Sequence, residues 1–164
     1  MKHFRSSIGY KKSYEEASVK EREILEKYFL PRYGITAFTF TDATDWSAKH
    51  DLEFTHKGKN YIVELKTRNK TNFFYSSGYL EEDKFCYLTA TTFSSTTIPV
   101  YVHYFTDHSF RIWNLKDPNI YTKLRWFEDE TDRCPFENLG KQKKTAAYLC
   151  NSKGYLIKLN ENKE

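Results

Sequence analysis

The chain of 164 residues is short of several residue types, and each shortage excludes something. Its three cysteines, Cys86, Cys134 and Cys150, stand far apart and form no C-x-x-C pair. That argues against a disulfide framework and against a structural zinc site, and they read as reduced thiols. With only 6 Gly and 4 Pro, disordered or low-complexity stretches have little to be built from. No apolar run approaches the roughly 20 residues of a membrane-spanning helix. The opening "MKHFRSSIGYKKSYEE" carries no hydrophobic leader core. A soluble cytoplasmic protein with no membrane partner is expected. The chain lacks a glycine-rich phosphate loop, which disfavours an ATP-driven enzyme. His50, His56, His103 and His108 show no metal-binding spacing. Charge of one sign is barely in excess: 26 Lys and Arg against 22 Asp and Glu give a formal net charge of +4. That permits a polyanionic partner without requiring one.

Aromatic residues are plentiful. Against a mean hydropathy of -0.76, 13 Tyr, 13 Phe and 3 Trp supply the apolar surface of a core. The length suits a single domain. Ser13 to Glu16 reads as a capping box and Pro31 as a stop, so a helix is expected over 14–30. At 100° per residue Tyr14, Ala17, Ile24, Leu25 and Tyr28 share a face, with Glu21 in its middle. Residues 35–40 read as a strand. Asp51–Thr55 and Tyr61–Thr67 read as two more, joined through His56-Lys-Gly-Lys-Asn60. Ser76-Ser77-Gly78 looks like the cap of a second helix over 79–90, with a stripe of Leu80, Tyr87 and Leu88 and Lys84 at its centre. Residues 98–106 and 109–115 suggest a second hairpin, and 125–140 read as irregular and acidic. Residues 143–150 and 154–159 suggest a last strand pair. The order describes a mixed α+β domain.

The stretch "YIVELKTR", residues 61–68, carries the chemistry. Strand alternation puts Ile62, Glu64 and Lys66 on one face. A turn at Lys57-Gly58 places Asp51 directly opposite Glu64, with Cβ atoms about 5 Å apart. Two like charges so close call for a cation. Mg²⁺ suits the demand, because it takes one or two carboxylates and completes its shell with water and phosphate oxygens. A neighbouring lysine could orient or deprotonate a metal-bound water, or neutralise a phosphate in its transition state. The spacing by itself also fits a cross-strand ion pair on a solvated face, and Glu82-Asp-Lys84 and Glu161-Asn-Lys163 repeat the Glu-x-Lys pattern without that context. Glu21, on an apolar stripe, needs a partner, either this cluster or a basic residue of the core.

Asp51, Glu64-Leu-Lys66 thirteen residues later, and an upstream helix bearing Glu21-Arg-Glu-Ile-Leu25 together resemble the PD-(D/E)xK nuclease superfamily. The last run is similar to the first helix of its Holliday-junction-resolvase branch. The resemblance spans about residues 13–115. It implies a restriction-endonuclease-like αβββαβ core, a central mixed sheet flanked by helices, with additional strands contributed by residues 116–164 as a C-terminal extension of the same domain. It implies that Asp51, Glu64, Lys66 and Glu21 are catalytic, and that Asp51, Glu64 and Glu21 are ligands of Mg²⁺, with Mn²⁺ as a substitute. It implies an endonuclease acting on DNA, with RNA as the other polymer open to it, and allows a homodimer. Lys84 falls where many members carry a polar residue of the second helix. One departure is that His50, not proline, precedes Asp51, as in many members. Asp45 competes with Asp51 for the ligand role, but Asp51 opens a strand whereas Asp45 reads as loop. Arg68, Lys70 and Lys84 are the expected phosphate contacts. Lys141, Lys143 and Lys144 form a second basic cluster, and Asn72 to Tyr75 a polar-aromatic edge. Trp46 packs beneath the site or stacks on a base. The rival expectation is a nucleic-acid-binding or scaffold protein that kept the fold without the chemistry.

Overall fold

A computed structural model of the chain describes residues 8–45, 48–90, 92, 95–134 and 137–159. Its first helix, α1, spans Ile8–Ile24, so Ser13 lies inside it and caps nothing. Lys12 and Glu16 form an exposed i,i+4 pair instead, at 3.9 Å. A π-helical turn, Leu25–Phe29, leads into α2, Leu30–Arg32. Pro31 therefore does not stop the helix at 30, as expected. It occupies the first turn of α2, where a missing N–H is harmless. The wider turn ahead of it, in which the Leu30 N–H donates to Leu25 O, has already left the i→i−4 ladder. Gly34, at φ 64°, ends the segment. Among the described residues no helix is long and apolar enough to cross a membrane.

Six strands make the central sheet: β1 (Phe38–Phe40), β2 (Leu52–His56), β3 (Lys59–Thr67), β5 (Ile98–Tyr104), β6 (Ser109–Asn114) and β9 (Tyr155–Lys158), in spatial order β1-β2-β3-β5-β6-β9. The β3–β5 contact is parallel and the others antiparallel. Lys57 (φ 50°) and Gly58 (φ 73°) form the two-residue turn between β2 and β3, the positive-φ type whose twist matches the strands it joins. The pairing of Leu52 with Val63 follows from that turn. One sheet face, with Leu52, Val63, Leu65 and Val102, is covered by Ile24, Leu25 and Phe29 of the N-terminal helix. The other, with Ile62, Tyr101 and Trp113, is covered by Leu88 of α3 (Glu82–Ala90) and by a second sheet. The fold is mixed α+β, a central mixed sheet flanked by helices, as expected.

The second sheet holds β4 (Ser77–Glu81), β8 (Glu137–Cys150) and β7 (Phe127–Cys134), in the order β4-β8-β7. Three sequence expectations change here. The helix expected over 79–90 begins at Glu82, because Ser77–Glu81 pair with β8. The acidic stretch read as irregular is β7. In Cα register Asp129 stands opposite Lys144, Glu130 opposite Lys143 and position 132 opposite Lys141. Opposite charges in such positions stabilise a ribbon that lacks apolar alternation. Finally, β8 and β9 do not pair with each other. β9 follows the 3₁₀ turn Asn151–Lys153 and joins β6. A short helix, α4 (Pro118–Tyr121), is capped by Asp117, whose side chain accepts from the Asn119 N–H.

Trp113, fully buried, lies between the two sheets, and its Nε1 donates to Cys150 O at 3.0 Å. Gly78 of β4 exists to let that ring in: a Cβ there would lie 2.7 Å from Trp113 Cη2. The indole is locked on all sides and cannot yield, so Gly78→Ala is expected to destabilise the protein by about 1–3 kcal/mol. Urea unfolding checks this, and an unchanged midpoint would show the packing to be looser than described.

Candidate active site

Asp51 sits immediately ahead of β2, and its N–H donates to Val63 O at 2.8 Å, which ties it to β3 next to Glu64. Its side chain, 7% exposed, receives the Leu65 N–H on Oδ2 at 2.8 Å, and Oδ1 lies 4.0 Å from Arg22 Nη1. Glu64, 2% exposed, is met by two ammonium groups. Lys66 Nζ is 2.8 Å from Oε1, and Lys84 Nζ, from α3, is 2.5 Å from the same oxygen. Lys84 also donates to Lys49 O at 3.3 Å. Glu21, from α1, accepts a long hydrogen bond from the Thr67 N–H at 3.4 Å. The site thus stands where the β2–β3 hairpin opens between α1 and α3.

Electrostatics separates the three acids. Burial alone would push Glu64 up, but Lys66 and then Lys84 outweigh it and hold the carboxyl below the usual range. Asp51 goes the other way, to about 6, first through burial and then through repulsion by Glu64. Burial also lifts Glu21 to about 7, opposed by Lys66 and reinforced by Asp51 and Glu64. Lys66 is desolvated, yet Glu64, Glu21 and Asp51 together raise it well above the ordinary lysine range. At neutral pH it is an ammonium, able to stabilise negative charge but not to take a proton from water.

Some expected residues lie elsewhere. Arg68 turns inward, its Nη2 donating to His103 Nε2 at 2.7 Å and to Tyr79 O at 3.4 Å. Lys70 is exposed, its ammonium 5.6 Å from the Phe74 ring centre. Asp45 is exposed in a turn, where its carbonyl accepts from the Ala48 N–H. Lys143 and Lys144 are engaged by Glu128 at 3.6 Å and Glu81 at 2.7 Å, and Lys141 stands opposite position 132 in register. Trp46 lies outside the described residues. Sequence reading missed Arg22, which braces the site from α1: Nε donates to Thr41 O at 2.9 Å and Nη2 to Thr41 Oγ1 at 2.8 Å. It also missed His103 and Tyr101, which lie beside Lys66 and Glu64 in the β3–β5 register. Alternation within "VYVHY" was the signal that would have put both on the Glu64 face.

Among the described residues, no three Asp, Glu, His or Cys side chains converge as a metal cage. The three carboxylates expected around one ion do not draw together into such a group. Asp51 and Glu64 lie close enough that repulsion by Glu64 contributes to the raised Asp51 carboxyl. That chemistry fits Mg²⁺, which needs only one or two carboxylates.

No family model and no curated protein matches the chain. Among solved structures, Hjc from Archaeoglobus fulgidus, a Holliday junction resolvase from an archaeal hyperthermophile, superimposes with a TM-score of 0.53. The match covers 87% of this chain and 92% of Hjc, at 13% identity. The likeness is one of fold.

Proposed function

We propose that the chain is a magnesium-dependent endonuclease of the PD-(D/E)xK type that hydrolyses DNA phosphodiester bonds. What supports this reading is buried Asp51, tied to Val63 and repelled by nearby Glu64, with Lys66 on Glu64 Oε1, on a fold like that of a Holliday junction resolvase. Asp51 and Glu64 would hold the ion, with Glu21 close by. A bound Mg²⁺ would polarise a phosphate oxygen and acidify a water. The protein's own groups do the rest. Lys66, kept protonated by its acidic neighbours, offers its ammonium to the charge that builds on the phosphate. Lys84 neutralises Glu64 from the other side, so the carboxylate stays ionised although buried. Glu21 would serve beside Asp51 and Glu64 as an extra ligand or as the acid that orients the water. Lys70 is placed for a phosphate outside the centre.

The test is incubation with duplex, single-stranded, flap and four-way-junction DNA, and with RNA, under Mg²⁺, Mn²⁺ or EDTA. Metal-dependent cleavage of at least one DNA form is expected. Binding without cleavage across the set would favour a non-catalytic nucleic-acid-binding protein. One observation supports that second reading: Glu64 is already satisfied by two lysines. Sedimentation of the same samples tests whether the chain acts as a homodimer.

A further inference from the structure

A second concavity opens beside the acidic centre. It has a volume of about 570 Å³ and is walled by the rings of Phe74, Tyr79 and Tyr148, with Arg68 and His103 at its floor and Ser77 at its side. Tyr79 and Tyr148 are cross-strand partners of β4 and β8, with ring centres 6.2 Å apart at 68°. His103 pairs in register with Lys66, and Arg68 lies two residues beyond Lys66, so the floor of the pocket is built from the same neighbouring strands, β3 and β5, that carry Lys66.

Several features narrow what this pocket holds. Its size is that of a small-ligand site. Its walls are flat aromatic faces, whereas its floor offers hydrogen bonds. Burial, then Arg68 and Lys66, hold the His103 imidazole well below its usual range, so it is neutral there. One wall ring, Phe74, is 67% exposed, and its neighbour in the chain, Phe73, is 78% exposed. Each has a lysine near its ring, Lys158 at 5.2 Å from Phe73 and Lys70 at 5.6 Å from Phe74. Exposed aromatics in a cationic rim fit a polyanion that carries flat bases, because stacking on the rings and contact with phosphate are both available. A second copy of the chain would meet lysines on both rings at the centre of its interface, where interfaces are depleted of them.

We propose that this pocket takes an unpaired nucleobase of the strand that enters the acidic centre, stacked against Phe74 and Tyr148. This rests on the nuclease reading and supplies its substrate class: DNA with unpaired bases next to the scissile phosphate, not continuous duplex. A base paired in a duplex has both faces occupied by its neighbours and cannot reach the walls.

Affinity for a short single-stranded oligonucleotide carrying 2-aminopurine, whose emission is quenched on stacking, is the direct test, run in EDTA so that nothing is cut. Phe74→Ala and Tyr148→Ala change exposed rings (Tyr148 is 58% exposed) and leave the core intact. Each is expected to weaken single-strand binding roughly 5- to 100-fold, the effect of one lost stacking platform. The quenching should be lost with it, and Phe74→Tyr should restore both. Duplex affinity, carried by phosphate contacts, should be unchanged. Equal losses on both DNA forms, no loss on either, or variants whose defect is a broken dimer in sedimentation would overturn the proposal. Because the readout is binding, the two readings fail separately. Cleavage with ring-independent binding removes the pocket and keeps the nuclease. Ring-dependent quenching without cleavage of any substrate supports the pocket and removes the nuclease.

Discussion

Lys66→Ala should reduce cleavage by about 10²-fold or more, the cost of removing one electrostatic stabiliser from a transition state. Fold and most DNA affinity should persist. Lys66 is raised far above the lysine range by three acids, so it is an ammonium at working pH and its contribution grows as charge builds on the phosphate. The variant should fold because Glu64 does not lose its last counter-ion: Lys84 remains 2.5 Å from Oε1. Without that second lysine, truncating Lys66 would leave a carboxylate buried and unpaired, which is strongly destabilising. Affinity should drop only modestly, since one cation among several carries a small share of binding. Single-turnover cleavage beside anisotropy measured in Ca²⁺ separates the two effects. Cleavage at the wild-type rate would make Lys66 structural and place the chemistry elsewhere.

Replacing Asp51 by Asn should act in opposite directions on activity and on stability. Its carboxyl rises from the model-compound value of 3.8 to about 6 in the fold. The native state therefore holds a proton that the unfolded chain releases. The associated stability is fully present below about pH 4 and is lost as pH rises through about 6. Glu21, lifted to about 7, acts in the same sense. Glu64, held low, acts in the opposite sense, and its contribution disappears only as pH falls below the usual carboxylate range. At pH 8 without metal, the ionised Asp51 costs roughly 1–3 kcal/mol. Asp51→Asn keeps an oxygen for the Leu65 N–H and removes the charge. It is expected to raise metal-free stability at pH 8 by that amount, to change it little at pH 4, and to abolish cleavage. Mg²⁺ should raise the wild-type melting temperature at pH 8 and leave that of the variant nearly unmoved. Melts from pH 4 to 8 in EDTA provide the check, and a variant less stable than wild type at pH 8 would remove the electrostatic account of the site.

Reading from residues to site worked where the information was local. The Lys57-Gly58 turn imposes a twist and a register on the few residues either side of it, and period-2 alternation then puts Glu64 and Lys66 on one face. Asp51, bonded to Val63 O, stands at the open end of that hairpin. The apolar stripe of α1 likewise oriented Glu21 inward and Glu16, Glu23 and Glu26 outward, as the structure has them. Pro31 misled because the rule that a proline ends a helix assumes an unbroken α ladder, and a π turn had already interrupted it.

Everything decided by partners remote in the chain lay beyond that reach. β4 is a strand because β8, some seventy residues later, pairs with it, and nothing in its residues Tyr79 to Glu81 opposes a helix. β7 has no hydrophobic period, since in register its acids stand opposite lysines of β8 and neither strand signals that alone. The same long-range packing assigned the basic residues. Lys84 reaches Glu64 only because α3 lies over β3, and Arg68 turns to His103 only because β5 runs parallel beside it. By itself the sequence determined the hairpin, the Glu64–Lys66 pair and the faces of the first helix, because turn chemistry and side-chain alternation act over a few residues. Tertiary structure alone decided which cations face the cluster and how the second sheet walls the neighbouring pocket, because side chains from separate segments meet only after the chain has closed on itself.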